Sequence, residues 1–358
     1  MSRKTPDGHP AGGIPALTSS TKHLVHERAL LRGVRALSVM NQTDGFDCPG
    51  CAWPEPADRS FAEFCENGVK AIAAESTGRR CGPEFFARHA VAELRAQSDY
   101  WLEQQGRLTQ PVIRRRGSEH FEPISWDDAF ARAGAALRAL EDPDQAVFYT
   151  SGRTSNEAAF LYQLLGRRLG TNNFPDCSNL CHESSGVGLR RTIGVGKGAV
   201  QLTDFEQADA IFVIGQNPGT NHPRMLTALQ AARRRGARIV VINPLRERGL
   251  EQFIHPQEAA AMLTGRATDM ATEYLQPLPG GDVAVLAGIM KHVLDAERQA
   301  PGRVLDHNFI RAHTVGFEAL QADLEAASWP EIEAASGLSR AEMRRAAEIY
   351  VASSASIV

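Results

Sequence analysis

The sequence lacks any long apolar run: no stretch of its 358 residues reaches the ~20 that a membrane-spanning helix requires. Its first forty residues contain neither the apolar core of a secretory signal nor the paired arginines of a twin-arginine export signal. The cytoplasm is therefore the expected compartment. Cysteine is scarce, with six in the whole chain, too few to serve as a disulfide scaffold at this size. A surplus of charge is missing too. The 39 Lys and Arg residues against 42 Asp and Glu leave a net charge of −3, which argues against nucleic-acid or membrane-surface partners. The most basic local run, Arg114-Arg115-Arg116, lies between Pro111 and Gly117 and reads as a solvated loop. No internal repeat or low-complexity tract is present. What remains is an ordinary globular composition, 43% hydrophobic and 23% charged, with room for two or three domains.

The pattern along the chain is uneven. Residues 1–42 are rich in Gly, Pro, Ser, Thr and Lys and read as a flexible leader, with one helical candidate at 23–38. A cysteine-bearing module follows at 43–100. Within it, residues 64–73 read as two short strands around Glu66-Asn67-Gly68, because Asn-Gly favours a tight hairpin. Beyond residue 121 helix and strand alternate. Helices are predicted at 126–140 with Ser125 as N-cap, at 156–169 and at 225–235. Strands are predicted at 146–150, 210–214 and 238–242. Short connections between apolar strands and helices indicate a parallel sheet covered by helices, an α/β fold. Helices at 282–295, 317–327 and 339–352 complete the pattern. Ile357-Val358 then read as the start of a buried strand, so the chain is expected to be a portion of a longer protein.

The cysteines form two groups. Cys48-Pro49-Gly50-Cys51, with Cys65 and Cys81 downstream, offers up to four thiolates, and two thiolates three positions apart can reach one metal. Structural zinc and an iron–sulfur cluster both suit the set, a thiol redox pair is a third option, and Cys65 also reads plainly as a core residue. The second group is Cys177 and Asn179-Leu180-Cys181-His182-Glu183-Ser184-Ser185-Gly186. Here a thiolate beside an imidazole suits a nucleophile or a metal-bound thiolate with a proton-handling partner, and a buried structural cysteine is the bland reading. The Ser and Gly residues after Cys181 are expected to open a helix.

Two loops complete the candidates. Gly215-Gln216-Asn217-Pro218-Gly219-Thr220-Asn221-His222-Pro223 follows the predicted 210–214 strand, at the carboxyl end where open α/β sheets bind ligands. It is not the Gly-x-Gly-x-x-Gly fingerprint of an ordinary dinucleotide site, and an ordinary turn-rich connection is the alternative. In Pro279-Gly280-Gly281-Asp282 the carboxylate can accept hydrogen bonds from a guanine, serve as a helix N-cap, or do both.

Taken together, the segments FDCPGCAWPEP, FCENGVKAIA, FYTSGRTSNEAAFLYQLL, NNFPDCSNLCHESS, GQNPGTNHPRM, INPLRERGLEQF and PGGDVAVL, in that order, resemble the bis-molybdopterin guanine dinucleotide oxidoreductases. The likeness is strongest to their formate-dehydrogenase-like YdeP subgroup. The resemblance implies two-electron redox chemistry at molybdenum, with electrons passing through a [4Fe-4S] cluster. Cys181 would ligate molybdenum and His182 would handle the substrate proton. Cys48, Cys51 and Cys65 would hold the cluster. Gly215, Asn217, Gly219, Thr220, Asn221, Asn243 and Asp282 would hold the pterin guanine dinucleotide. Residues 101–150 would belong to a first nucleotide-binding-like domain and residues 151–358 to a second, interrupted αβα domain. The implied substrate is formate or a small oxyanion.

Three departures accompany the likeness. Glu55 stands where the superfamily's third clustered cysteine is expected, so Cys65 would have to substitute. Cys81, the candidate fourth ligand, precedes Gly82-Pro83 and not the usual lysine, whose place between cluster and pterin would fall to Lys70. Members are also much longer, so this chain is expected to be inactive alone. The competing expectations are a non-catalytic subunit that needs a partner chain and a zinc-stabilised nucleotide-binding protein.

Overall fold

The computed structural model describes residues 8–150, 154–175 and 177–358, with residues 177–179 described by their backbone alone. The chain divides into two compact units: Met1–Ser20, Met40–Asn67 and Val200–Val358 in one, Thr21–Val39 and Gly68–Ala199 in the other. We refer to them as the sheet unit and the helical unit.

The sheet unit is built on four parallel strands in the order Glu273–Leu275, Arg238–Ile242, Ala210–Ile214 and Ser356–Ile357. The two central strands are apolar at nearly every position because both faces are covered. Alternate side chains point to opposite faces. Ile211, Val213, Ile239 and Val241 pack with Met225, Leu226, Leu229 and Ala232 of the helix Met225–Arg234. Phe212, Val240 and Ile242 pack on the other side with Val285, Ile289 and Val293 of the helix Asp282–Gln299. Ile332, Met343 and Ala346 from the helices Trp329–Ser336 and Arg340–Val351 close that face. Each fully buried Ile, Leu or Val contributes about 1.5–3 kcal/mol. The fold class is thus α/β with a parallel sheet, as the alternating pattern predicts. A smaller sheet joins Ala11–Gly12 in parallel, and Thr268–Asp269 in antiparallel, to Gln252–Ile254.

In the helical unit, Ser125 accepts a hydrogen bond from the Asp128 N–H and caps the helix Trp126–Arg138. Ser155 caps Asn156–Leu169 in the same way, and Gly170 ends that helix at φ +109°. The helix Cys177–Ile193 follows. A small core of Cys81, Phe86 and Leu94 packs with Phe85, Trp101, Val112 and Phe121. Among the described residues no helix is long and apolar enough to cross a membrane.

Three expectations are corrected. Of the expected leader, residues 1–7 lie outside the described residues, while most of the rest forms the helices Gly13–His26 and Leu30–Leu37, interrupted by Arg28 at φ +53°. Burial of Leu24, Ala29, Leu37 and Met40 is what orders this stretch. Residues 64–73 form no hairpin; the helix Glu66–Glu75 occupies them. Gly68 does not take the positive φ that an Asn-Gly hairpin turn needs, and Val69, Ile72 and Ala73 are buried at helical spacing. Residues 146–150 form no strand; the Phe148 N–H donates to the Asn173 carbonyl, and the Ala146 carbonyl accepts from the Asn173 side-chain amide in place of a ladder partner.

Candidate functional site

The loop at residues 215–223 leaves the strand Ala210–Ile214 at Gly215, whose φ of +65° is the left-handed conformation that glycine adopts freely. The Gly215 N–H still donates to the Ile242 carbonyl at 2.9 Å, which ties the loop to the carboxyl end of the neighbouring strand. Asn217 caps the short helix Pro218–Asn221 by accepting from the Thr220 N–H at 3.2 Å, and it donates to Glu247 at 2.6 Å. Asn243 is buried. It donates to the Gln216 carbonyl at 3.1 Å and accepts from the Leu245 N–H at 2.9 Å. The side chains of these two residues are therefore spent on shaping the loop, a task distinct from direct ligand contact. Gly215, Gln216, Thr220 and Asn221 lie on its exposed edge.

A second loop supports the first from residues 243–251. A Cβ on Gly219 would lie 3.4 Å from the Gly249 Cα, so the two backbones meet closely. The Tyr274 hydroxyl accepts from the Glu247 N–H at 2.8 Å and donates to the Leu245 carbonyl at 2.7 Å. Burial, followed by the Glu247 and Glu251 carboxylates, pushes this phenol up to about 12 despite the hydrogen bond from Glu247 and the nearby Arg246 guanidinium. Tyr274 thus stays protonated and acts as a fixed strut. His222 has a buried Nδ1 with no hydrogen-bond partner among the described residues. An orphaned polar atom in a ligand-type loop is what a missing ligand group would satisfy. Asp282 is exposed at the first position of the helix Asp282–Gln299. The N-cap is Gly281, not Asp282, and a Cβ at Gly281 would lie 2.8 Å from the Ala335 carbonyl oxygen.

The cysteines do not assemble as the sequence predicts. Among the described residues no three His, Cys, Asp or Glu side chains form a group able to hold a metal ion. Cys48, Cys51 and Cys65 are half-buried in the sheet unit. Cys65 is fixed as the residue immediately before the helix Glu66–Glu75. Cys81 belongs to the helical unit's apolar core, where burial pushes its thiol up, so it is a packing residue. Lys70 is half-buried on the helix Glu66–Glu75.

Glu55, at the expected third-ligand position, is engaged elsewhere. The Arg224 guanidinium donates to Glu55 at 3.1 Å and to Glu63 at 2.8 Å. Burial would raise the Glu63 carboxyl, but hydrogen bonds from Ser60 and Arg224 and the Arg224 charge bring it below its ordinary value. Sequence reading missed Arg224 altogether, and only the odd Glu55 signalled it. In the helical unit, Cys181 and His182 are exposed on the helix Cys177–Ile193. That helix opens four residues before Cys181, not after it, and the Cys177 side chain lies outside the described residues.

A model of the molybdopterin oxidoreductase family matches residues 107–300. The chain is 48% identical over 352 residues to protein YdeP of Escherichia coli K12, which covers 97% of this chain and 46% of that one. It is 31% identical over 258 residues to formate dehydrogenase H of the same organism, covering 70% of this chain and 33% of that one. Acetylene hydratase from Pelobacter acetylenicus shares the fold over 85% of this chain and 35% of that one, with a TM-score of 0.57 at 19% identity. The chain spans less than half the length of these curated relatives.

Proposed function

Because this chain belongs to the molybdopterin oxidoreductase family, we propose that it forms the cofactor-holding αβα portion of a formate-dehydrogenase-like enzyme. The observation that carries this reading is the 215–223 loop at the carboxyl ends of two parallel strands, with the unsatisfied Nδ1 of His222 inside it. A bis-molybdopterin guanine dinucleotide supplies two-electron redox chemistry at its molybdenum when bound. Gly215, Thr220 and Asn221 would meet it along the exposed edge of the loop, with half-buried Gly219 letting the backbone approach, while Asn217 and Asn243 keep the loop in shape. Asp282 would accept hydrogen bonds from the guanine. Cys181 would supply the thiolate ligand, and His182 would take up or return the proton of formate or a small oxyanion.

Metal analysis of anaerobically purified protein, with detection of the guanine nucleotide released by acid hydrolysis, tests this reading. Molybdenum and guanine nucleotide together support it, and Cys181→Ala should lose molybdenum. A chain that carries neither, alone or beside a partner polypeptide, overturns it.

A second reading is favoured by one observation. Phe160, Leu161 and Leu164 of the helix Asn156–Leu169 are 60%, 63% and 46% exposed, and Leu180 of the helix Cys177–Ile193 is 74% exposed. Apolar faces of this extent suit cover by another polypeptide. On this reading the chain alone turns over no substrate and works as a subunit. Mixing it with a polypeptide carrying the remaining length of YdeP, then size-exclusion chromatography, separates the two: a stable complex that alone retains molybdenum identifies the subunit.

A further inference from the structure

We propose that residues 41–65, which carry all three expected cluster cysteines, are folded and docked on the sheet unit without any metal, and that Arg224 is the positioning residue that holds them there. The proposal relies on the reading above only for the role of the 215–223 loop. Small cysteine modules ordinarily fold on their metal, because the metal–thiolate bonds stand in for a core. Here other contacts take that place. Trp53 packs against the sheet unit's core and meets Phe205 edge to face, ring centroids 5.7 Å apart. The Arg224 side chain, only 11% exposed, donates to Glu55, to Glu63 and, at 3.2 Å, to the Trp53 carbonyl.

The polar chain continues toward the cysteines. Asn41, buried and held at φ +59°, donates to the Glu63 carbonyl at 2.6 Å and accepts from the Cys48 N–H at 2.8 Å. The other carboxylate oxygen of Glu63 accepts from the Ser60 N–H at 2.6 Å. Hydrogen bonds therefore run without a break from the Cys48 backbone to the residue that follows the 215–223 loop. Asn67 ties the same segment to the Thr220 carbonyl, and Gln257 donates to the Ala62 carbonyl at 2.6 Å.

The charges explain why Arg224 matters most. Two carboxylates face one guanidinium in a partly buried place, so its removal leaves like charges together without a counter-ion. A lysine would restore the charge but not the planar fork that reaches three acceptors. The clamp occupies Glu55 and, through Glu63 and Asn41, fixes the Cys48 backbone. The Cys48 sulfur already accepts from the Gly50 N–H at 3.4 Å.

The test uses the full chain stripped with EDTA. Iodoacetamide alkylation of Cys48 and Cys51 and hydrogen exchange of residues 41–65 are followed by mass spectrometry. Stripping should leave both rates as they are. Arg224→Ala should raise both roughly tenfold or more, with exchange in Arg238–Ile242 unchanged, and Arg224→Lys should fall between. Adding Glu55→Gln and Glu63→Gln to Arg224→Ala should slow both rates again, since the repulsion is gone; a merely space-filling role for Arg224 would not respond. If Arg224→Ala does not fold, Arg224→Lys and the stripped parent carry the test. The proposal is overturned if the stripped parent reacts as fast as Arg224→Ala, or if that variant matches the parent. The readout is taken on metal-free protein, so failure of the molybdenum reading leaves it intact.

Discussion

Two helices meet different fates in the two units, and the better-capped one buries less. Met225–Arg234 in the sheet unit buries Met225, Leu226, Leu229, Gln230 and Ala232 against the strands. Asn156–Leu169 in the helical unit has a serine N-cap and a left-handed glycine at its end, yet only Gly166 is buried. Trp126–Arg138, also well capped, buries no residue. Propensity and capping decide that a helix forms, but packing supplies most of its stability. The sheet unit holds its helices by area removed from water. The helical unit leaves the apolar faces of two capped helices largely exposed.

The largest expected effect is a cavity in the sheet unit. Leu229→Ala, at a fully buried position between helix and sheet, should cost about 2–5 kcal/mol in urea unfolding. Leu164→Ala, the same change on a 46% exposed side chain, should stay within about 0.5 kcal/mol for the chain alone. Equal costs would break the comparison. If a partner chain covers that face, the cost of Leu164→Ala should grow in the complex, which would sharpen it.

A smaller effect is expected at the caps. Ser155→Ala removes the acceptor for the Ala158 N–H and should destabilise the helical unit by about 1 kcal/mol. Helical circular dichroism and hydrogen exchange across Asn156–Leu169 should report the loss locally. A variant whose exchange matches the parent would show that hidden packing, not the cap, sustains this helix.

The smallest effect appears only in acid. Glu297 accepts from the N–H groups of Gly302, Leu305 and Val304 and from the His307 imidazole, and these bonds hold its carboxyl down from 4.5 to about 2. A depressed carboxyl contributes stability above its unfolded value and loses it as pH falls through the folded one. The contribution is therefore complete above about pH 4.5 and fades toward about pH 2. Glu63 and Glu258 are depressed in the same unit. Acid should accordingly loosen the sheet unit, and Glu297→Gln should flatten that part of its stability profile between pH 5 and pH 2. An unchanged profile would place the acid sensitivity elsewhere.

The sheet was legible because its signals are local and agree with one another. Ala210–Ile214 and Arg238–Ile242 are unbroken apolar runs that only a strand covered on both faces requires, and both formed where expected. The candidate site was half legible. The 215–223 loop occupies the carboxyl edge that its position after a strand predicted. That Asn217 would be taken by Glu247 and Asn243 by Gln216 was not readable, since those partners lie 30 and 27 residues away. The cysteine segment was least legible. No spacing rule could pair Glu55 with a guanidinium 169 residues further along.

The sequence by itself determined the family, the helices with their serine caps and the two central strands, because each depends on neighbours a few residues apart. Only the tertiary structure decided that Glu66–Glu75 is helical, that Cys81 packs in an apolar core, and that Glu55 pairs with Arg224. Burial and charge pairing between distant segments outweighed local preference at each of those places, and neither is written in any single stretch of the chain.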